Sequence, residues 1–181
     1  MKIKAILVGK RVVIPDRTIG RELYKKGFYG KFVSIRKVKD YTVEDLLELS
    51  LIEAVYLVEK GLISVYSGER KLSLSDLLKL GEKEYSNFSE VYEVYKDLRD
   101  SGFVVKSGIK FGATFAVYKH GPGIDHAPFL VYVHPYNEPI DPLEIVRAGR
   151  LSHSVRKKFV LATVNPREKK IEYYSFEWFG A

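Results

Sequence analysis

The apolar pattern of this chain runs through one course of short strands and helices and then begins again. Near Ser86 a longer amphipathic helix starts, with Phe88, Val91, Tyr92, Tyr95 and Leu98 at helical spacing, and Gly102 stops it. A restart of this kind within 181 residues constrains the chain to two small α/β units. The boundary is expected near residues 81–86, giving a first domain over 1–82 and a second over 86–181.

In the first half, Ile3 to Leu7 and Arg11 to Ile14 read as a strand pair turned through Gly9-Lys10. A short helix follows near Thr18 to Lys26, ending at Gly27, and a third strand covers Phe32 to Ile35. Thr42, with Asp45 three residues later, predicts a capped helix start; Leu46, Leu47, Leu49, Ile52, Val55, Tyr56 and Val58 continue it as an apolar stripe to Gly61. Leu62 to Val65 suggests a strand, and Ser73 or Ser75 caps a helix reaching Leu80. None of these elements assembles an acid, base and nucleophile, so the first domain is expected to serve support or assembly rather than catalysis.

After Gly102, strands are expected over 103–106, 114–118 and 129–133, the first two separated by a turn around Gly108 to Gly112. Asp141-Pro142 is an N-cap followed by proline at the first helical position, starting a helix to about Ser154 with Gly149 as a weak point. Strands over 159–164 and 171–176 close the chain as a hairpin. The expected class is α/β (α+β), with a small mixed α/β amino-terminal domain and a carboxy-terminal α/β domain built on a central mixed sheet.

Hydrophobic residues at 46% and charged residues at 29% describe a folded chain, and no apolar run approaches a membrane span of roughly 18–20 residues. The opening residues Met1 to Val8 are too short for a signal peptide and read as a strand, so a cytoplasmic protein is expected. With no cysteine, thiolate chemistry and Cys-ligated zinc are excluded, and imidazole chemistry must come from His120, His126, His134 or His153. A net charge of +7 suits a polyanionic partner, because phosphate binding releases counterions; good solubility is the other reading.

Two segments concentrate chemistry. Tyr118-Lys119-His120-Gly121-Pro122-Gly123-Ile124-Asp125-His126-Ala127-Pro128 places polar groups on a Gly/Pro loop between strands, a functional loop or a surface turn with incidental histidines. Residues 145–170 carry eight Lys and Arg against the single acid Glu168, which describes either a phosphate-binding surface or a solvated basic face. His153 reads as a packed or capping imidazole near a helix end, and His120 and His134 as surface residues.

The run Lys106-Ser107-Gly108-Ile109-Lys110-Phe111-Gly112-Ala113-Thr114-Phe115-Ala116-Val117-Tyr118, then Asp125-His126-Ala127-Pro128, then Gly149-Arg150-Leu151-Ser152-His153-Ser154-Val155-Arg156-Lys157-Lys158, resembles the archaeal tRNA-splicing endonucleases, and in particular their crenarchaeal catalytic subunits. The likeness is strongest from residue 86 onward. Gly27-Phe28-Tyr29-Gly30-Lys31 and Leu49-Ser50-Leu51-Ile52-Glu53-Ala54 resemble the family's amino-terminal domain more loosely.

The resemblance implies a nuclease-like second domain that cuts precursor tRNA at bulge-helix-bulge sites with a catalytic triad of Tyr118, His126 and Lys157 and no metal or other cofactor. Cleavage without a metal needs a base at the ribose 2′-OH, an acid at the departing 5′-oxygen and a cation for the phosphorane charge. Tyr118 would be the base, His126 the acid and Lys157 the stabiliser, leaving 2′,3′-cyclic phosphate and 5′-hydroxyl ends. An ordinary phenol, with a pKa of about 10, is mostly protonated at neutral pH, and a nearby Lys157 could favour its phenolate. Arg150 matches a family arginine that stacks on a bulged base, worth roughly 0.5–2 kcal/mol. Trp178 stands where some members carry a second arginine, either as the other jaw or buried at a subunit interface.

The resemblance implies assembly as a tetramer or pseudo-tetramer. The last strand, Tyr173 to Phe179, is aromatic on both faces and is the candidate pairing surface. In homotetramers the loop before it is acidic, whereas Asn165-Pro166-Arg167-Glu168-Lys169-Lys170 carries three cations and one acid. The expectation is an α2β2 heterotetramer with a noncatalytic paralogue, the alternative being a homotetramer. Two rivals are a noncatalytic RNA-binding subunit of the same complex and a metal-dependent nuclease, which would need acidic ligands beside a lysine on adjacent strands.

Overall fold

In the computed structural model of the chain, which describes residues 2–35 and 43–176, the left-handed Gly9 (φ 59°) turns β1 (Ile3–Val8) into β2 (Arg11–Ile14). The chain separates into two compact units, Met1–Ser89 and Glu90–Ala181. In the first, Asp16 caps α1 (Arg17–Gly27), its carboxylate accepting the Ile19 N–H at 2.9 Å. The helix closes one residue later than expected, on Phe28 in the left-handed region (φ 54°), where the ring is buried against Tyr24.

The expected helix over 42–61 divides in two, and Thr42 lies outside the described residues. Leu47–Ser50 form a strand, β4, between β2 and the short β3 (Lys31–Phe32); only Leu51–Glu59 are helical, as α2. Leu47 and Leu49 are fully buried while Glu48 and Ser50 are partly exposed, the period of two that marks a strand. Burying two leucines contributes about 1.5–3 kcal/mol each, more than helix propensity offers. The helix start lies at Ser50, in a capping box with Glu53. The buried Glu53 carboxylate accepts from Ser50 N–H (2.9 Å), Ser50 Oγ–H (2.7 Å) and Gly30 N–H (2.8 Å), tying the box to the turn before β3.

The unit is completed by β5 (Ile63–Ser67), β6 (Arg70–Lys71) and α3 (Leu74–Glu84), which Ser73 caps with Asp76. Its sheet runs β3-β4-β2-β1-β5-β6, with β1 and β5 its parallel pair.

The second unit takes in α4 (Phe88–Asp100) from Glu90 onward, then β7 (Val104–Ser107), a 3₁₀ turn (Ile109–Phe111), β8 (Phe115–Tyr118), β9 (Phe129–Val133), α5 (Pro142–Ser154), β10 (Lys158–Asn165) and β11 (Lys170–Phe176). The sheet order is β11-β10-β9-β8-β7, mixed because α5 carries the chain from β9 to the parallel β10. Asp141 and Pro142 start α5 as expected, and the helix passes Gly149 unbroken. On α4, the buried Arg99 donates to Tyr95 Oη (3.0 Å) and the Val105 carbonyl (3.3 Å). Asp97 accepts the Tyr173 hydroxyl of β11 at 2.6 Å. Among the described residues no helix is long and apolar enough to cross a membrane.

Candidate active site

Strand register brings three chain segments together at one end of the second sheet's interior strands. Val117, the penultimate residue of β8, pairs with Phe129 at the start of antiparallel β9, and Lys158 at the start of parallel β10 also pairs with Phe129. Tyr118 at the end of β8, residues 126–128 before β9 and residues 155–157 before β10 therefore meet there. The Lys158 N–H donates to the Pro128 carbonyl at 3.0 Å and ties the start of β10 to the start of β9.

Lys157 is delivered by the end of α5. The Arg156 N–H donates to the His153 carbonyl (3.0 Å) and the Lys157 N–H to the Ser152 carbonyl (2.8 Å), the paired bonds of a Schellman motif. Arg156 takes the left-handed position (φ 54°) that glycine normally occupies. Beyond this reversal the Lys157 ammonium donates to the Ala127 carbonyl at 2.8 Å and stands 5.5 Å from the centroid of the Phe111 ring. The Ala127 side chain is buried with Ala113, Ala116 and Leu130, and Tyr118, Phe111 and Val155 pack on that cluster. The amine is thus anchored at the residue following His126, above the apolar floor on which Tyr118 lies.

His126 itself is exposed. The loop carrying it is folded around Asp125, whose Oδ2 accepts the N–H groups of Lys119 (3.0 Å) and His120 (3.1 Å) and whose Oδ1 accepts that of Gly121 (2.8 Å). Burial acts to raise the Asp125 pKa, but the bonds from Gly121, His120 and Lys119, with the neighbouring His120 charge, hold the carboxyl below its usual range. Burial and the Asp125 carboxylate push the Tyr118 phenol above its ordinary value. Lys157, expected to favour a phenolate, is not among the groups that shift the phenol; its ammonium is engaged with Ala127 and Phe111.

An open groove of about 730 Å³ runs beside Lys157, lined by Pro128, His153, Ser154, Arg156, Lys157 and Lys158. His153 lies on that wall, exposed, rather than packed. Arg150 is exposed on α5, outside the residues that line the groove, and Trp178 lies outside the described residues. His134 is not a free surface residue: it is half-buried, its Nε2–H donates to the Glu138 carbonyl at 2.9 Å, and its buried Nδ1 has no hydrogen-bond partner among the described residues. Among the described residues no three His, Asp or Glu side chains cluster in a way that could hold a metal ion.

Sequence reasoning missed Asp125 and Phe111 as parts of this site. Asp125 had a readable signal, since an Asp shortly after Gly-Pro-Gly is suited to accept the loop's own N–H groups. Phe111 had none, because its place under Lys157 depends on strand register.

Two family models match the chain in order. The tRNA intron endonuclease N-terminal domain covers residues 3–78, and the tRNA intron endonuclease catalytic C-terminal domain covers residues 88–173. A tRNA-splicing endonuclease of Hyperthermus butylicus is 48% identical over 177 residues, 97% of this chain and 98% of that protein. Those of Pyrobaculum arsenaticum and Saccharolobus islandicus are 47% and 46% identical over 180 residues, with the same coverage of both chains. With both domain models matched and close to half the residues shared along nearly its whole length, this chain belongs to the tRNA-splicing endonuclease family.

Proposed function

We propose that the chain is the catalytic subunit that excises introns from precursor tRNA at bulge-helix-bulge sites by metal-independent transesterification. The observation that supports this most is the anchoring of the Lys157 ammonium on the Ala127 carbonyl, beside His126 and over the floor shared with Tyr118. Tyr118 takes the 2′-OH proton, the 2′-oxygen attacks the adjacent phosphorus, and His126 gives a proton to the departing 5′-oxygen. Lys157 offsets charge on the phosphorane oxygens. The products are a 2′,3′-cyclic phosphate and a 5′-hydroxyl. Burial and Asp125 favour the neutral phenol, so the base form of Tyr118 is the minor one near neutral pH.

Arg150 would grip a bulged base from the exposed face of α5, with Trp178 as a second stacking group, while residues 1–82 serve assembly and RNA support and residues 86–181 carry the catalysis. The hairpin 166–169 is wholly exposed and, with Lys170, basic, which suits an acidic surface on a paralogous noncatalytic subunit in an α2β2 assembly rather than a copy of itself.

Incubating the chain, alone and with candidate partner subunits, on bulge-helix-bulge RNA in excess EDTA tests the reading. Cyclic phosphate ends are expected, and cleavage is lost in His126→Ala while RNA binding survives. A 3′-hydroxyl end, or dependence on a divalent ion, sinks the mechanism; full activity as a homotetramer sinks the assembly.

A further inference from the structure

The loop from Lys119 to Pro128 must hold an exposed imidazole at a fixed place, yet it contains two glycines with positive φ, Gly121 (132°) and Gly123 (90°), and no buried apolar side chain before Ala127. What it has instead is one carboxylate. The three N–H groups that follow Tyr118 in sequence all converge on Asp125: Lys119 and His120 on Oδ2 at 3.0 and 3.1 Å, Gly121 on Oδ1 at 2.8 Å. The Ile124 and Asp125 N–H groups return to the Gly121 carbonyl, both at 3.1 Å, so the ring closes from both sides. The residue on either side of this ring is a proposed catalytic one, Tyr118 at its entrance and His126 at its exit.

We infer that Asp125 is a positioning residue, setting His126 against Tyr118 by clamping the first three amides of the loop. The inference rests on the roles proposed above for those two residues. An ionised carboxylate is the side chain suited to such a clamp, since its two oxygens offer about four acceptor sites, and charge-assisted bonds to N–H groups are roughly twice as strong as neutral ones. An asparagine keeps one acceptor and turns an NH₂ group toward donors, breaking part of the clamp. Alanine releases all three amides. Asp125 does not touch the substrate in this scheme; it acts through the place it gives His126, and a displacement of about 1 Å at such a group costs on the order of 100-fold in rate.

The test uses the assembled enzyme on bulge-helix-bulge RNA, with single-turnover cleavage rate and RNA dissociation constant measured separately. Asp125→Ala is expected to slow cleavage about 100-fold and Asp125→Asn by less, both with RNA binding within about twofold of the parent. In a His126→Ala background, adding Asp125→Ala is expected to cost little more, because residues acting as one unit are not additive. Thermal unfolding of each variant guards against global misfolding, and amide exchange at Lys119, His120 and Gly121 reads the clamp directly, slow in the parent and fast in Asp125→Ala.

Normal cleavage by Asp125→Ala, a loss that is equal and additive in the His126→Ala background, or a defect confined to RNA binding overturns the inference while leaving the catalytic assignment standing. Normal cleavage by His126→Ala alone overturns both.

Discussion

Arg156 is an arginine where the chain reversal calls for glycine, and replacing it separates backbone strain from side-chain function. In the left-handed region an L-residue is disfavoured by about 1–2 kcal/mol. Glycine escapes that cost but gives back roughly 0.5–1 kcal/mol through its freedom in the unfolded chain. The Arg156 side chain is exposed, so its removal forfeits no buried packing. Arg156→Gly should therefore stabilise by about 0.5–1 kcal/mol, a rise of roughly 2–8 °C in Tm for a unit of this size. Arg156→Ala removes the same charge and keeps the strain, so it serves as the reference. Thermal and urea unfolding of the three proteins measure the difference. Both variants should lose the same increment of salt-dependent RNA affinity, about 0.7–0.9 in the slope of log K against log salt if the guanidinium meets a phosphate. An Arg156→Gly protein no more stable than Arg156→Ala refutes the reasoning, because it would mean that the reversal stores no strain.

A Cβ at Gly108 would lie 2.7 Å from the Phe115 carbonyl carbon and 2.8 Å from the Ala113 oxygen, so Gly108→Ala should destabilise by about 1–3 kcal/mol and depress cleavage with it, since this turn carries Phe111 under Lys157; urea midpoints and single-turnover rates check both. Tyr173 is held protonated by burial and by its bond to Asp97, so the bond's contribution is complete below pH ~10 and fades as pH rises further. Tyr173→Phe should cost roughly 0.5–1.5 kcal/mol near pH 7 and show a smaller loss of unfolding free energy between neutral and alkaline pH than the parent. The raised Tyr118 pKa places the alkaline limb of kcat/KM above pH ~10, and Asp125→Asn, by removing a negative charge, should move that limb downward even as it lowers the rate. A limb that stays in place would dissociate Tyr118 from the proton transfer.

How much of this was legible in the sequence followed how local each determinant is. Asp141-Pro142 announces α5 and the helix begins there, because capping chemistry acts within one turn. Leu46 to Val58 shows the opposite case. Its leucines satisfy a helical stripe as well as a strand, and only pairing with β2, remote in sequence, puts Leu47 and Leu49 into a sheet. The helix start in that segment is the capping box of Ser50 with the buried Glu53. At the site, the motifs locate Tyr118, His126 and Lys157 in sequence but not what steadies them. The anchoring of Lys157 on a main-chain carbonyl arises from parallel β9–β10 register, which no local pattern encodes.

That register also limits how this chain can change length. Lys157 spends its own N–H on closing α5 and its side chain on Ala127, so its place is counted in helical residues from Pro142. Inserting or deleting one residue between 142 and 157 turns the ammonium by about 100° around the helix axis and withdraws it from the groove. The same change between 135 and 140, or in the exposed turn 166–169, leaves that count untouched. Length variation among working copies of this chain should gather in those two loops and be absent from α5.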